Sequence, residues 1–246
     1  MKTTNDLSFS EALNYRRSVR IYDPEKPIDS NIVKHCIEQA TLAPNSSNMQ
    51  LWEFHHITSK ELLKKFAPLC FNQNAAKTAQ ELVVVVVRKD LWKKRVKLNL
   101  EHIKEQVKNK KPEDYSGREK MALNYYKKVM PFVYGDFLGI FGFLKYVATS
   151  IMGLFKPAYR NIRNTDMRIV AHKSAGLAAQ TFMLAMAAQH YDTCPMEGTD
   201  TLRIKKLLKL PSSAEINMTI ACGIRDEKGI YGERFRIPFN DVYKKW

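Results

Sequence analysis

The 246-residue chain has only four cysteines, Cys36, Cys70, Cys194 and Cys222, and no Cys-x-x-Cys among them. That excludes a disulfide framework and a thiolate zinc site, and it fits a reducing compartment. No metal-ligand spacing accompanies His55, His56 or His172, so these read as structural and no metal is expected. The segment from Met1 to Asp6 lacks the apolar run of a signal peptide, and a cytoplasmic protein is expected. The length suits one large domain or a compact pair; with internal repeats and low-complexity linkers missing, it is read as a single domain over residues 1–246 with an insertion at about 88–165. Acidic residues are in short supply: 25 stand against 40 Lys and Arg, a formal charge of +15. Between Arg88 and Lys128 there are 14 basic and 6 acidic residues. Such a stretch is a solvated helical face or an attractor of anions.

Hydrophobic residues make up 45%, enough for a sizeable core. Ser8-x-x-Glu11 has the form of a capping box and predicts a first helix running into Arg16. Asp29 or Ser30 starts a second helix, limited by Pro44. Trp52 to Ile57 reads as a strand and Ser59 as the start of a third helix. Leu82 to Val87 reads as a central strand covered on both faces. A long Ala-rich helix is expected from about Asp166 to His190, with Gly176 in its interior, and its small residues imply close packing against a neighbouring element. Thr201 to Leu208 reads as a short helix, Ile216 to Cys222 as a strand, and Tyr231 to Trp246 as an irregular basic tail.

The odd region lies at about 88–165. After the basic stretch, Met130 to Phe155 is long enough to span a bilayer, but Asp136 and Lys145 interrupt it, and charge at membrane depth is costly. Phe132, Tyr134, Phe137, Phe141, Phe143 and Tyr146 alternate with Gly135, Gly139 and Gly142. This favours a lid over a planar ligand, and membrane contact is not expected.

Two N-terminal blocks carry chemistry. Arg16-Arg17-Ser18-Val19-Arg20 supplies guanidinium forks and a hydroxyl. Ala43-Pro44-Asn45-Ser46-Ser47-Asn48-Met49-Gln50-Leu51-Trp52 supplies small polar side chains after a helix stop. A phosphorylated, flat, polar-edged cofactor such as flavin mononucleotide (FMN) asks for such groups. Arg16, Ser18, Arg234 and Arg236 suit its phosphate; Arg20 and Lys77 suit its pyrimidine edge, where positive charge tunes the potential. Asn48 and Asn74 suit ribityl or ring atoms, and Pro195-Met196-Glu197-Gly198 reads as a turn whose N–H groups meet the ring edge.

In this order the motifs resemble the FMN-dependent nitroreductase family, over roughly residues 8–87 and 166–240. That family shows Arg-x-Ser-x-Arg/Lys, then Ala-Pro-Ser-Ser-x-Asn-x-Gln-Pro-Trp, a long Ala-rich helix, a Pro-x-x-Gly turn and a basic pair near the end. Here Leu51 replaces the usual Pro and Asn45 the first Ser, while Asn74-Ala75-Ala76-Lys77 matches the family's Asn and Lys near the ring. The resemblance implies an α+β fold with a mostly antiparallel central sheet flanked by helices, and an intertwined homodimer. Arg16, Arg17, Ser18, Arg20, Asn74, Lys77, Pro195, Met196, Glu197, Gly198, Arg234 and Arg236 would come from one subunit, and Pro44, Asn45, Ser46 and Asn48 from the other. It further implies hydride transfer from NADH or NADPH to FMN and on to a small-molecule acceptor such as a nitroaromatic, a quinone or an activated alkene. No side chain would act as a catalytic group, and no nucleic acid is expected. The competing reading is a basic protein that binds nucleic acid or a membrane surface through residues 88–155.

Overall fold

The computed structural model describes residues 6–136 and 140–246. In chain order it contains α1 (Phe9–Tyr15), α2 (Ser30–Ala40), β1 (Trp52–Ile57), α3 (Lys60–Leu69), α4 (Asn74–Thr78), β2 (Glu81–Val87), α5 (Trp92–Gln106) and α6 (Gly117–Asn124). A π-helical turn, Tyr125–Val129, leads into α7 (Met130–Tyr134). Then come α8 (Ile140–Met152), α9 (Asn164–Ala188), β3 (Asp192–Met196), α10 (Thr201–Leu207), β4 (Glu215–Gly223) and α11 (Phe239–Val242). The fold is α+β.

The strands form one antiparallel sheet in the order β1-β2-β4-β3. The valine run lies at its centre, and every residue from Glu81 to Val87 is buried. Period-2 alternation divides the run between two cores. Val83, Val85 and Val87 pack with α2 and the Ala-rich side of α9, including Ala171, Ala175 and Phe182. Leu82, Val84 and Val86 pack on the other side with Phe66 of α3, Ala75 and Ala76 of α4, and Ile204 of α10. Helices on both faces explain why this strand is apolar throughout and does not alternate.

Local signals hold at the helix starts. Ser8 and Glu11 cap α1 reciprocally, Asp29 caps α2 and Ser59 caps α3. One expectation is corrected. Pro195 and Met196 are not turn residues. They end β3, where Pro195 pairs with Ile220, and an edge strand tolerates a residue without an N–H. Within the chain Gly176 faces open space, since a Cβ there would meet nothing within 4 Å. The packing on α9 is made instead by Ala171, Ala175, Ala178 and Ala179. The stretch from Met130 to Phe155 is not one span: α7 ends at Tyr134 and α8 starts at Ile140. Among the described residues, no helix is long and apolar enough to cross a membrane. Phe137 and Gly139, read as part of the lid, lie outside the described residues.

Candidate functional site

The segment after α1 runs along the outer edge of β3. Ser18 bridges Thr193 in parallel, and the Val19 amide donates to the Thr193 carbonyl (3.2 Å). This pairing alternates the side chains: Val19 is buried while Arg16, Ser18 and Arg20 face outward. The C-terminal tail returns over them. Arg16, Arg17, Ser18, Arg20, Tyr231, Glu233, Arg234 and Arg236 share a cleft of about 250 Å³.

A firm base sits below the cleft. The fully buried Asp192 carboxylate at the start of β3 accepts from the Arg225 side chain (Nε to Oδ1, 2.9 Å) and from the Arg225 amide (2.8 Å). The Arg225 guanidinium lies 4.2 Å from the Tyr15 ring centroid and donates to the Tyr15 carbonyl. This arrangement fixes the C-terminus of α1, from which Arg16 projects.

The arginines divide their work. Arg234 donates to the carbonyls of Leu13, Asn14 and Arg16 (3.2, 3.0 and 2.5 Å) and so closes the end of α1. Arg17 donates to Gly232 O. Among the described residues, no hydrogen bond engages the Arg16 side chain. Burial lowers its pKa, and Arg234, Arg236 and Arg17 lower it further by repulsion. A half-buried guanidinium surrounded by like charges is the environment of an anion site.

Asn74 and Gly198 adjoin this cleft through Tyr231 and Gln73. Arg20 Nη1 donates to Gln73 Oε1 (3.5 Å), and Gln73 Nε2 donates to Gly198 O (2.9 Å). Asn74 Nδ2 donates to the Tyr231 hydroxyl (2.8 Å). Lys77 is exposed on α4, and among the described residues no hydrogen bond or ion pair engages its side-chain ammonium. Glu197 is exposed and Met196 has its side chain in the core. Gln73 and Tyr231 escaped the sequence reading. Neither belongs to a motif, and only tertiary structure brings Gln73 between Arg20 and Gly198.

Pro44, Asn45, Ser46 and Asn48 lie elsewhere. Their loop precedes β1, at the opposite edge of the sheet, where the Ser46 amide donates to Ser174 Oγ on α9 (3.4 Å). Three strand spacings, about 14 Å, separate the two edges. The cavity beside Pro44, Asn45 and Ser46 shares no lining residue with the arginine cleft. Ser47, Asn48 and Gln50 have φ of 54°, 48° and 47°, a region that non-glycine residues enter only when held. The region 88–165 does the holding. Tyr125 and Ser47 hydroxyls meet at 2.7 Å, Tyr126 donates to Ser47 O (2.9 Å), and Asn48 and Asn99 exchange bonds through their amides. Tyr125, Tyr134, Tyr159, Met130 and Ser47 also line a cavity of about 340 Å³. Among the described residues, no group of His, Cys, Asp and Glu is arranged to hold a metal.

Known proteins share the fold and the family of this chain. YdgI of Bacillus subtilis, a candidate NAD(P)H nitroreductase, is 26% identical over 255 aligned residues covering 100% of both chains. A candidate NAD(P)H:FMN oxidoreductase of Staphylococcus epidermidis superposes with a TM-score of 0.75 at 21% identity, covering 100% of this chain and 99% of its own. A candidate nitroreductase of Exiguobacterium sibiricum, solved in complex with FMN, gives 0.67 at 24% identity with 100% of both chains covered. The model of the Nitroreductase family matches residues 13–224, nearly the whole described fold, and the chain belongs to that family.

Proposed function

We propose that this chain is an FMN-dependent oxidoreductase that draws hydride from NADH or NADPH and delivers electrons to a small acceptor such as a nitroaromatic, a quinone or an activated alkene. One observation carries the reading: a cleft gathers Arg16, Arg17, Ser18, Arg20, Arg234 and Arg236, and Arg16 there has no acceptor among the described residues. A phosphate dianion supplies the missing charge. The bound FMN would contribute the two-electron chemistry.

The protein's own residues bind and tune. Arg16, Ser18 and Arg236 would hold the phosphate, with Arg234 fixing the end of α1 beneath them. Arg20 and Lys77 would keep positive charge beside the ring's pyrimidine edge and raise its reduction potential. Arg20 is set for this by Gln73. The Glu197 and Gly198 amides would donate to the other ring edge. Asn74 would serve the ribityl chain or ring.

The Pro44–Asn48 half lies at the far sheet edge, so a complete site needs this loop from a second subunit. The protein would act as a homodimer with two equivalent sites. Purified protein should be yellow and release FMN, not FAD, on denaturation, and sedimentation should find a dimer. Colourless protein that also fails to bind added FMN refutes the flavin reading. An FMN-loaded monomer refutes the shared site.

A further inference from the structure

Helix α8 is amphipathic in the inverted sense. At 100° per residue its apolar side chains cover about half the circumference. That half faces water: Phe141, Phe143, Leu144 and Ile151 are exposed, Phe143 at 61%. Leu154 and Phe155 extend the ridge past the helix end, at 77% and 85%. The polar residues point inward. Lys145 Nζ donates to the carbonyls of Phe132 and Gly135 (both 2.7 Å), and Asp136 Oδ1 accepts from the Gly142 amide (2.9 Å). Tyr146 receives Arg163 on its ring face at 4.8 Å. Asp136 and Lys145 are the two charges that argued against lipid contact in the sequence. Both are spent on backbone groups on the protein side, and neither faces outward.

Basic residues flank the ridge. Lys127 and Lys128 are exposed just before α7, and Lys156 and Arg160 follow Phe155. No ion pair among the described residues engages any of the four. Residues 88–165 hold 18 Lys and Arg against 7 Asp and Glu, so most of the chain's +15 lies here. This charge selects among possible covers for the ridge. A second copy would bring the same positive surplus to the contact. A nucleic acid would satisfy the lysines but leave the ridge in water. An anionic bilayer surface satisfies both, with acyl chains for the aromatics and headgroups for the cations. At 13 residues, α8 is about 20 Å long, too short to span but suited to lie in the interface.

We propose that α8, with Leu154 and Phe155, docks in the plane of an anionic lipid surface while Lys127, Lys128, Lys156 and Arg160 contact its headgroups. The docking does not depend on the flavin reading, since its readout is bound protein and not turnover.

The test is flotation of the full-length purified protein with vesicles of equal phosphatidylglycerol and phosphatidylcholine, and with phosphatidylcholine alone. Partitioning should favour the anionic vesicles by at least about tenfold and fall by a similar factor between low and high salt. The double variant Phe143→Glu, Ile151→Glu should lose about tenfold or more of the anionic-vesicle binding while keeping the wild-type circular dichroism and sedimentation coefficient. Absence of wild-type binding to anionic vesicles, or equal binding to both compositions, overturns the proposal without any variant. Full binding by a folded double variant overturns it too. A variant that turns a wild-type dimer into monomers overturns it in favour of an interface between copies.

Discussion

Replacing Arg16 by methionine should move apo stability and flavin affinity in opposite directions. The substitution keeps an apolar stem of similar length and removes only the guanidinium. In the folded protein, burial lowers the Arg16 pKa, and repulsion from Arg234, Arg236 and Arg17 adds to the effect. The folded state therefore disfavours the proton relative to the unfolded chain. The charge counts against folding at every pH below the folded pKa, which includes the whole neutral range. Three partly screened like-charge neighbours at a few tenths of a kcal/mol each suggest about 1 kcal/mol of repulsion, relieved in Arg16→Met. Urea unfolding of the apo protein should show equal or slightly higher stability, with the difference shrinking as salt rises. FMN binding should weaken by about 1.5–3 kcal/mol, the range for a hydrogen bond to a charged group, or roughly 10- to 150-fold in Kd by fluorescence titration. Apo stability lower by more than about 1 kcal/mol would mean that the guanidinium makes a structural contact. An affinity change below about threefold would remove Arg16 from the phosphate site.

Asp192→Ala should cost about 3 kcal/mol or more in urea unfolding, because it strands Arg225 beside Tyr15 without its carboxylate; a loss under about 1 kcal/mol refutes the role given to that pair. Burial pushes the Cys36 thiol up to about 12 and Cys70 to about 11, and it raises Cys194 and Cys222 as well. Ellman's reagent should find no fast-reacting thiol in native protein and four after denaturation, and a single rapidly labelled native cysteine would contradict this. Lys110 and the Ser116 amide and hydroxyl draw the Glu119 carboxyl down from 4.5 to about 2. Its support for the start of α6 is complete above pH 4.5 and fades as pH falls toward 2, so the protection factors of amides near Ser116, with exchange corrected for its intrinsic pH dependence, should drop only in strong acid. Loss of that protection already at neutral pH would refute that cap.

Much of this fold was legible because its signals are local. Ser8 with Glu11, Asp29 and Ser59 mark helix starts through hydrogen bonds made within three residues. The valine run announced a doubly covered strand by composition alone. β3 was missed because Asp192 and Pro195 disfavour strands and the run is short; it pairs with β4 and with the segment at Ser18, both distant in sequence. The small residues of the long helix announced its close packing, which Ala171, Ala175, Ala178 and Ala179 make. The arginine cluster was readable as a motif, but the division of labour inside it was not. That Arg234 closes a helix end while Arg16 stands without an acceptor depends on where the tail returns. The inverted helix was hidden by the same limit, since periodicity gives two faces of α8 but not which of them the protein keeps.

The two separated edges of the sheet have a genetic consequence. With the arginine cleft beside β3 and the Pro44–Asn48 loop beside β1, a lesion in either would disable a different half of each site in the proposed dimer. Two inactive alleles, one altered at Arg16 and one in the loop, would complement when expressed together. In a random mixture half of the dimers are mixed, and each mixed dimer regains one unaltered site, so roughly a quarter of all sites return to full function. Two alleles both altered in the arginine cleft would restore none. Inheritance of activity in trans would thus trace the boundary between the half-sites without any structure determination.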